Sequence, residues 1–209
     1  MQNPRKFLII GLALLAFAGS VTLWLLALRS SGDPPQHATV LPVPRMLPEF
    51  ELHDHTGAPF NRESLRDRWS LVFFGFTHCP DICPATLQQL AVARSRLAAS
   101  RAGQRTALPQ IVLISVDPER DTTAKLGAYV GHFGADVVGV TGSLDELRKL
   151  TSALGIWFDK SELDGGDYTV EHSAVVLVID TEAQLQGLFS APHSIDAFVQ
   201  DLPRIMAAG

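Results

Sequence analysis

Short apolar runs and longer amphipathic segments follow one another along this chain. Three short runs are almost wholly apolar, at residues 71–76, 111–116 and 174–179. A short run without polar positions is typical of a strand that is buried on both faces of a sheet. Segments with apolar residues three or four positions apart predict helices at residues 85–99, 122–133, 144–154 and 194–206. Two further short strands are predicted at residues 136–141 and 185–189.

Residues at the predicted helix ends support these assignments. Pro84 fits the first turn of the first helix, where its missing N–H is no loss. Asp121 is a suitable N-cap for the second helix, and Gly155 is a suitable end for the third. Strands that alternate with helices predict an α/β fold with a mixed central sheet flanked by helices. In such sheets, functional sites form beyond the carboxyl ends of the strands.

An uncharged apolar segment occupies residues 7–28 near the start of the sequence. Its length of about 22 residues is sufficient to cross a hydrocarbon core of ~30 Å, so we expect a transmembrane anchor there. The alternative is a cleaved signal peptide, whose apolar part usually runs only ~7–15 residues. Arg5 and Lys6 precede the segment, whereas only Arg29 follows it closely. Residues 1–6 are therefore predicted to be cytoplasmic, with the rest beyond the plasma membrane.

The chain after the anchor divides into a linker and one domain. Residues 29–48 contain five prolines among small and polar residues, which predicts an extended, semi-rigid linker. Residues 49–209 are sufficient for a single domain with a sizeable core. No cysteine directly follows the apolar run and no Arg- and Ser-rich stretch precedes it, so neither a lipoprotein nor a mitochondrial transit peptide is indicated. We expect a single-pass protein of the bacterial inner membrane with a periplasmic domain.

Charge excludes one class of partner. The chain has 17 Lys+Arg against 22 Asp+Glu and a formal net charge of −5. Its basic residues form no stripe, so nucleic acid is a poor candidate. An acidic surface could attract basic proteins or cations, although solubility alone accounts for it.

The two cysteines of the chain, Cys79 and Cys83, closely follow the first apolar strand. Residues four apart lie on one helical face, roughly 5–6 Å apart at Cβ. Such a pair can close a disulfide or hold one soft metal ion, and the spacing does not choose between them. The helix N-terminus next to the pair should lower the thiol pKa, which favours both metal capture and redox reactivity.

Four segments resemble the Sco/SenC family, in the right order, over about residues 49–180. They are EFELHDHTG at 49–57, FGFTHCPDICPATL at 74–87, SVDPERDT at 115–122 and DYTVEHS at 167–173. The arrangement of anchor and linker fits this family too. The resemblance implies a thioredoxin-like fold and the binding of one copper ion, as Cu(I) or Cu(II). It also implies delivery of that copper to the binuclear centre of cytochrome c oxidase subunit II.

Applied position by position, the resemblance makes Cys79, Cys83 and His172 the copper ligands. Thiolates and imidazole suit copper, although zinc would accept the same three ligands with an open fourth position. In thioredoxin-like folds the segment before the strand at 174–179 faces the cysteine loop and usually carries a cis-proline. Glu171, His172 and Ser173 occupy that segment here. An imidazole can therefore take the space that a proline ring fills in redox relatives.

Other residues near these motifs have weaker claims to a role. Asp81, Asp117 and Glu171 are candidates for hydrogen bonds to the metal ligands. The alternatives are that Asp81 begins a helix and that Asp117 organises a turn. His78 is adjacent to Cys79, but adjacent side chains diverge, so we do not expect it to bind the metal. The remaining histidines are expected in the linker, on the surface or in packing: His37, His53, His55, His132 and His193.

Two functions remain for this chain. The first is a copper metallochaperone, which is not an enzyme. The second is a thiol–disulfide oxidoreductase that reduces the copper-binding cysteines of the oxidase subunit. A redox protein of this kind should carry Cys-x-x-Cys and a cis-proline, whereas three residues separate Cys79 from Cys83, which favours copper.

The compartment predicts the partners. Cys79 and Cys83 should form a redox-active disulfide in an oxidising environment unless something reduces it. We therefore expect a thioredoxin-like reductant, another copper chaperone as donor, and cytochrome c oxidase subunit II as recipient.

Overall fold

The structure, a computed structural model, describes residues 14, 16–22, 34–100, 108–163 and 165–208. The chain divides into two compact units, Met1–Pro34 and Pro35–Gly209. In the first unit, residues 16–22 are helical. Most of the predicted anchor at residues 7–28 lies outside the described residues. Within the described part of the chain, no helix is both long enough and apolar enough to span a membrane.

The second unit contains ten strands among the described residues, together with four α-helices and a 3-10 helix at Arg62–Leu65. The strands are β1 Thr39–Met46, β2 Glu51–Asp54, β3 Pro59–Asn61, β4 Ser70–Gly75, β5 Gln110–Ser115, β6 Val137–Thr141, β7 Phe158–Glu162, β8 Tyr168–His172, β9 Val175–Ile179 and β10 Gln184–Ser190. The helices are α1 Ile82–Ser100, α2 Thr123–Gly131, α3 Leu144–Leu154 and α4 Ile195–Ala208.

Eight strands form one mixed sheet, in the order β1-β10-β9-β4-β5-β6-β2-β3. The strands β4, β5 and β6 pair in parallel, and the other pairs of this sheet are antiparallel. Helix α1 packs against α4, and α2 packs against β6. The mixed sheet with flanking helices confirms the predicted α/β architecture.

The predicted buried strands form the middle of this sheet. All six residues of β4 are buried, and so are five of the six residues of β5. Successive side chains point to opposite faces of a sheet, so complete burial shows that both faces of these strands are covered. The last residues of the two strands, Gly75 and Ser115, are paired neighbours. The loops that follow them therefore leave the sheet at the same edge.

The helix ends agree with the sequence in two cases and differ in one. Helix α3 has the predicted bounds, and Gly155 after it adopts the left-handed conformation with φ of 72°. Helix α1 begins at Ile82, so Pro84 lies in its first turn. Asp121, however, does not cap α2. The cap is Thr122, whose side chain accepts from the Lys125 N–H. The Asp121 carboxylate instead accepts hydrogen bonds from Thr77 and Ser115.

Strand β1 lies inside the predicted linker at residues 29–48, so the predicted start of the domain at residue 49 is too late. β1 pairs with β10 at one end of the sheet, and its register shifts between Val40 and Arg45. Two of the five prolines lie within that shift. An edge strand tolerates proline where no ladder hydrogen bond is needed, which is why the proline content concealed a strand.

The segment before β1 is also held to the domain. One carboxylate oxygen of Asp201, in α4, accepts from the backbone N–H groups of Gln36, His37 and Ala38 at 2.9, 2.5 and 2.9 Å. The Asp201 side chain is fully buried. A buried carboxylate with three backbone donors fixes the path of this segment, because leaving the charge unpaired would be costly.

Strands β7 and β8 form a separate two-stranded sheet that the sequence did not predict. We refer to residues 158–172 as the β7–β8 ribbon. Most of its paired side chains are exposed or partly exposed, and Val170 is its one fully buried strand residue. The ribbon therefore lacks the apolar alternation that reveals a half-buried strand in a sequence.

Candidate metal centre

The loop between β4 and α1 carries Cys79, and the first turn of α1 carries Cys83. The two cysteines therefore do not share a helical face, as their spacing had suggested. In the loop, the Cys79 N–H donates to the Phe76 carbonyl at 3.3 Å. Cys79 is partly buried against the core, whereas Cys83 is fully buried. One sulfur is thus closer to solvent than the other.

Gly75 makes room for the buried sulfur. A Cβ atom at this position would lie 2.9 Å from Cys83 Sγ and 2.9 Å from Cε1 of Phe73. Both distances are shorter than carbon tolerates without displacing its neighbours. The glycine at the end of β4 therefore allows Cys83 to approach the sheet closely.

His172 is the last residue of β8 and reaches the cysteines from the ribbon. Its Nε2 lies 3.5 Å from Cys83 Sγ, and its Nδ1 lies 3.3 Å from the Ser173 carbonyl oxygen. With the ring proton on Nδ1, the lone pair of Nε2 can bind a metal ion; with the proton on Nε2, the imidazole can donate to a cysteine sulfur. The rings of Phe73 and Phe76 pack against the imidazole edge to face, with centroids at 5.8 and 6.0 Å.

The structure brings the three predicted ligand residues together. The sulfurs of Cys79 and Cys83 and a ring nitrogen of His172 all lie within 4.8 Å of one another. Metal–sulfur and metal–nitrogen bonds of ~2.3 and ~2.0 Å hold ligand atoms roughly 3.5 Å apart around one ion. The separation of 3.5 Å between Cys83 and His172 matches that requirement. Neither cysteine forms a disulfide in this structure, so two sulfurs and one imidazole nitrogen form a donor set that suits a soft metal ion.

The environment lowers the pKa of Cys79 to about 4. The main cause is a hydrogen bond from the Cys83 thiol, which stabilises the Cys79 thiolate and outweighs the opposing effect of burial. Hydrogen bonds with His172 and with the backbone N–H groups of Cys83 and Asp81 add to it. Cys79 is therefore a thiolate at neutral pH.

The same hydrogen bond raises the pKa of Cys83, and burial raises it further. Cys83 is therefore a protonated thiol next to a thiolate. A thiolate is the form that binds metals and attacks disulfides. The site thus contains one activated sulfur and one sulfur whose proton must leave before it can bind a metal.

Among the described contacts, none of the three predicted supporting carboxylates hydrogen-bonds to a ligand residue. The Asp81 side chain is exposed, and only its backbone N–H serves Cys79. The Glu171 side chain accepts from the Ser161 hydroxyl at 3.2 Å. Since adjacent residues of a strand point to opposite faces, Glu171 faces away from the sulfurs when His172 faces them. Asp81 therefore supports Cys79 through its backbone and not through its carboxylate, and the Glu171 carboxylate contacts Ser161 instead of a ligand.

Asp117 is fully buried and organises more than a turn. Its backbone carbonyl accepts from the N–H groups of Arg120 and Asp121, as a turn requires. Its carboxylate accepts from Arg120 Nε at 2.5 Å and from the Tyr168 hydroxyl at 2.8 Å. Asp117 therefore joins the loop after β5 to the ribbon that carries His172.

Asp121 is a supporting residue that the sequence reasoning assigned to a helix cap instead. Its buried carboxylate accepts from the Thr77 N–H at 2.9 Å and from the Thr77 hydroxyl at 2.5 Å. It also accepts from the Ser115 hydroxyl at 2.7 Å. Thr77 lies two positions before Cys79, so Asp121 holds the start of the cysteine loop. One feature of the sequence could have indicated this role. Asp121 lies in the loop after β5, and β5 ends at the same edge of the sheet as β4, which precedes the cysteine loop.

The other histidines lie apart from the two sulfurs. His78 is exposed, and its Nδ1 lies 3.2 Å from the Thr77 hydroxyl and 3.8 Å from Asp121. His55 Nδ1 accepts from the Gly139 N–H at 3.2 Å. Exposed or packing positions are also occupied by His37, His53, His132 and His193. In the described part of the chain, His172 is the histidine that groups with the cysteines.

Sequence comparisons identify relatives of the folded domain. The family model described as SCO1/SenC matches residues 40–207. A Stutzerimonas stutzeri protein is 38% identical over 167 residues, which is 80% of this chain and 80% of that protein. The protein "SCO1 homolog 1, mitochondrial" of Arabidopsis thaliana is 34% identical over 148 residues. This match covers 71% of this chain but only 43% of the Arabidopsis protein.

Solved structures share the same fold. Arabidopsis thaliana ScoI with copper bound has a TM-score of 0.71 and 31% identity, over 77% of this chain and 97% of that one. Yeast Sco1 with copper bound has a TM-score of 0.68 and 28% identity, over 77% of this chain and 87% of that one. The mixed sheet and its helices therefore have the arrangement of proteins solved with copper.

Proposed function

Because the chain belongs to the SCO1/SenC family, we propose that it is a metallochaperone that binds one copper ion through Cys79, Cys83 and His172. The observation that carries this proposal is the convergence of the three donor atoms within 4.8 Å of one another. The donors come from the cysteine loop, the first turn of α1 and the end of β8. Copper-bound structures of similar chains support the choice of metal.

The donor chemistry agrees with copper. Thiolates select Cu(I), and imidazole together with thiolates also suits Cu(II). Zinc accepts the same donors, so the test must compare the two metals directly. The thiolate of Cys79 can capture the ion first, and binding then displaces the proton of Cys83.

The site is accessible enough for the metal to be transferred to another protein. Cys79 is only partly buried, and Ile82 and Trp157 are 41% and 55% exposed. Ile82 is adjacent to Cys83, and Trp157 pairs with Ser173 next to His172. Exposed apolar side chains on both sides of a metal site suit contact with a protein partner. We propose that the recipient is cytochrome c oxidase subunit II, whose binuclear copper centre receives the ion.

The proposed location is the periplasmic face of a bacterial inner membrane, with residues 7–28 as the anchor. The uncharged segment and the preceding Arg5 and Lys6 support this orientation. The test is protease treatment of intact cells and of spheroplasts. Cleavage of the domain only after the outer membrane is opened is expected, and recovery of the whole chain in the soluble cytoplasmic fraction contradicts the proposal.

A second function is favoured by the unequal environments of the two sulfurs. A thiolate that is partly exposed, beside a buried thiol, is the arrangement of an attacking and a resolving cysteine in thiol–disulfide exchange. Cys79 would attack a disulfide of the recipient, and Cys83 would release the product by forming the Cys79–Cys83 disulfide. Two electrons pass to the substrate disulfide, and a thioredoxin-like reductant must restore both thiols.

Metal titration tests the copper proposal. Residues 34–209 are reduced and titrated with Cu(I), Cu(II) and Zn(II) under competition with chelators of known affinity. One copper per chain is expected, together with a thiolate-to-Cu(II) absorption band. Loss of binding in Cys79→Ala and Cys83→Ala, with retention in the exposed-residue control His53→Ala, supports the ligand set. Stronger binding of Zn(II) than of either copper ion contradicts it.

Transfer experiments separate the two functions. The copper-loaded domain is mixed with the soluble copper domain of a subunit II in its reduced form. Copper transfer to the reduced domain is expected of the metallochaperone. Reduction of the oxidised subunit by the metal-free domain, without any transfer of copper, favours the oxidoreductase instead.

A further inference from the structure

Among the described residues, the β7–β8 ribbon shares no ladder with the eight-stranded sheet, yet it carries His172. Ser173 and Ala174 join His172 to β9 of that sheet, and side-chain contacts between the ribbon and the body of the domain hold the imidazole at its distance from the sulfurs. At the end of the ribbon, the Ser173 N–H donates to the Trp157 carbonyl, which ties the ribbon to itself. Ribbon and body are joined by the buried Val170, by an ion pair between Lys160 and Glu119 at 2.6 Å, and by a set of contacts centred on Arg120.

Arg120 lies in the loop after β5 and reaches across to the start of β8. Its Nη1 donates to the Tyr168 carbonyl at 2.9 Å and to Asp167 at 3.3 Å. Its guanidinium lies 3.7 Å from the centre of the Tyr168 ring. A guanidinium stacked on an aromatic face is attracted to it, more strongly when water is excluded. The Arg120 side chain is only 19% exposed.

Asp117 completes the connection on the side of the body. One carboxylate oxygen accepts from Arg120 Nε, and the other accepts from the Tyr168 hydroxyl. The Asp117 side chain is fully buried, and its backbone N–H donates to the Ser115 hydroxyl at 3.1 Å. Asp117 is thus fixed to the sheet edge. We call Asp117, Arg120 and Tyr168 the ribbon latch.

The latch also touches the surroundings of the imidazole. The Arg120 guanidinium lies 5.9 Å from the centre of the Phe76 ring, and the Phe76 ring packs against His172 at 6.0 Å. Arg120 therefore acts on His172 from two sides: through the backbone of the ribbon and through the aromatic wall of the site.

We propose that Arg120 is a positioning residue that holds His172 in reach of the copper ion, an inference that rests on the proposed function. Cu(I) is satisfied by two thiolates, whereas Cu(II) uses the imidazole as well. Both cysteines belong to the body and do not depend on the ribbon. Loosening the latch should therefore weaken Cu(II) binding and leave Cu(I) binding almost unchanged.

The experiment compares Arg120→Ala, Arg120→Lys and Tyr168→Phe with the wild-type domain. Affinities for Cu(I) and Cu(II) are measured by chelator competition, and the Cu(II) absorption band and electron paramagnetic resonance spectrum report the nitrogen ligand. Arg120→Ala should lower the Cu(II) affinity about 10–100-fold and the Cu(I) affinity less than about threefold. Arg120→Lys should not rescue it, because lysine lacks the planar fork and the stacking.

Arg96→Ala is the matched control. Arg96 is 55% exposed and pairs with Asp196 at 2.9 Å, and it lies in α1 about 20 Å of helix beyond Cys83. Its removal should change neither affinity. Tyr168→Phe keeps the stacked ring and loses only the hydroxyl, so it should lower the Cu(II) affinity less than Arg120→Ala does. It provides the test if Arg120→Ala folds poorly.

Three outcomes overturn the inference. Equal losses for Cu(I) and Cu(II) would show that the latch only stabilises the fold. Unchanged Cu(II) affinity and an unchanged nitrogen signature in all three variants would show that it has no part in the site. The third outcome concerns the metal-free protein. If the latch holds the ribbon, hydrogen exchange of residues 168–172 is faster in Arg120→Ala than in the wild type and unchanged in Arg96→Ala. Unaltered exchange rejects the latch, and this arm stands even if the wild type binds no copper.

Discussion

Nε2 of His172 lies 3.5 Å from Sγ of Cys83, although 89 positions separate the two residues along the chain. Cys83 is set by the main sheet and the first turn of α1, whereas His172 is set by a ribbon outside that sheet. Two parts of the fold that share no strand ladder among the described residues therefore meet at this distance. The three-ligand site exists only while both parts keep these positions.

Gly75→Ala should damage the site and the fold together. The new Cβ would lie 2.9 Å from Cys83 Sγ, so either the sulfur or the β4 backbone must move. Overpacking of this kind costs about 1–3 kcal/mol. Denaturant unfolding measures the loss of stability, and metal titration should show weaker copper binding.

The control for this substitution is Gly131→Ala. No neighbouring atom lies within 4 Å of a Cβ at position 131, and alanine in a helix is favoured over glycine by roughly 0.5–1 kcal/mol. This variant should be at least as stable as the wild type and bind copper normally. Equal behaviour of the two alanine variants would contradict the assigned role of Gly75.

Asp121→Asn should destabilise the cysteine loop. The carboxylate accepts three hydrogen bonds, from the Thr77 N–H, the Thr77 hydroxyl and the Ser115 hydroxyl. An amide retains only one oxygen, and hydrogen bonds to a buried charge contribute about 1.5–3 kcal/mol each. We expect a loss of about 2 kcal/mol in the free energy of unfolding.

Asp136→Asn provides the comparison for Asp121→Asn. The Asp136 carboxylate pairs with Arg94 but is 58% exposed, and exposed ion pairs contribute about 0–1 kcal/mol. If the two asparagine variants unfold at the same denaturant concentration, Asp121 does not support the loop as described.

Alkylation of the reduced protein should reveal the lowered pKa of Cys79. The thiolate is the reactive form, and the pKa is about 4 instead of 9.0. As pH falls from 9, reactivity with iodoacetamide should therefore persist and be halved only near pH 4. Cys83 should stay unreactive across this range because its pKa is raised.

Removing the donor to the Cys79 thiolate should reverse this behaviour. Cys83→Ala takes away the largest stabilising contact, so the midpoint of alkylation should move towards the ordinary thiol value of about 8.5. The unfolded wild-type protein supplies that reference value. A wild-type midpoint near 8 would mean that the two sulfurs do not share a proton in the folded protein.

Glu171→Gln should leave copper binding unaffected. Its carboxylate contacts the Ser161 hydroxyl and not the metal ligands. The affinities for Cu(I) and Cu(II), measured by chelator competition, should stay within about threefold of the wild type. His172→Ala, one position along the ribbon, should lower the Cu(II) affinity at least about 10-fold. A comparable loss in Glu171→Gln would place its carboxylate at the site.

Much of the central sheet could be predicted from the sequence because buried parallel strands have few polar positions. The apolar runs at 71–76 and 111–116 became β4 and β5 almost residue for residue. Strands at the margins were missed for a physical reason. β1 and the ribbon are largely exposed, so their sequences do not alternate between apolar and polar residues as a half-buried strand does.

The candidate ligands came from the sequence through the motifs that resemble the family, but their supports did not. Asp121 follows α-helix capping rules in the sequence, and only the structure places its carboxylate beneath Thr77. The sequence does not distinguish Arg120 from the other arginines, and only the structure shows its guanidinium stacked on the Tyr168 ring of the ribbon. Glu171 is adjacent to His172, but its side chain points to the opposite face of the strand and contacts Ser161.

The sequence alone thus determined the buried strands, the helices that alternate with them, and the two sulfurs that follow the first buried strand. These depend on local composition and spacing, which a single segment carries by itself. The tertiary structure decided which sulfur is the thiolate, which carboxylates support the loop, and what holds His172 near Cys83. Those properties depend on desolvation and on contacts between residues far apart in the chain, and no local pattern records them.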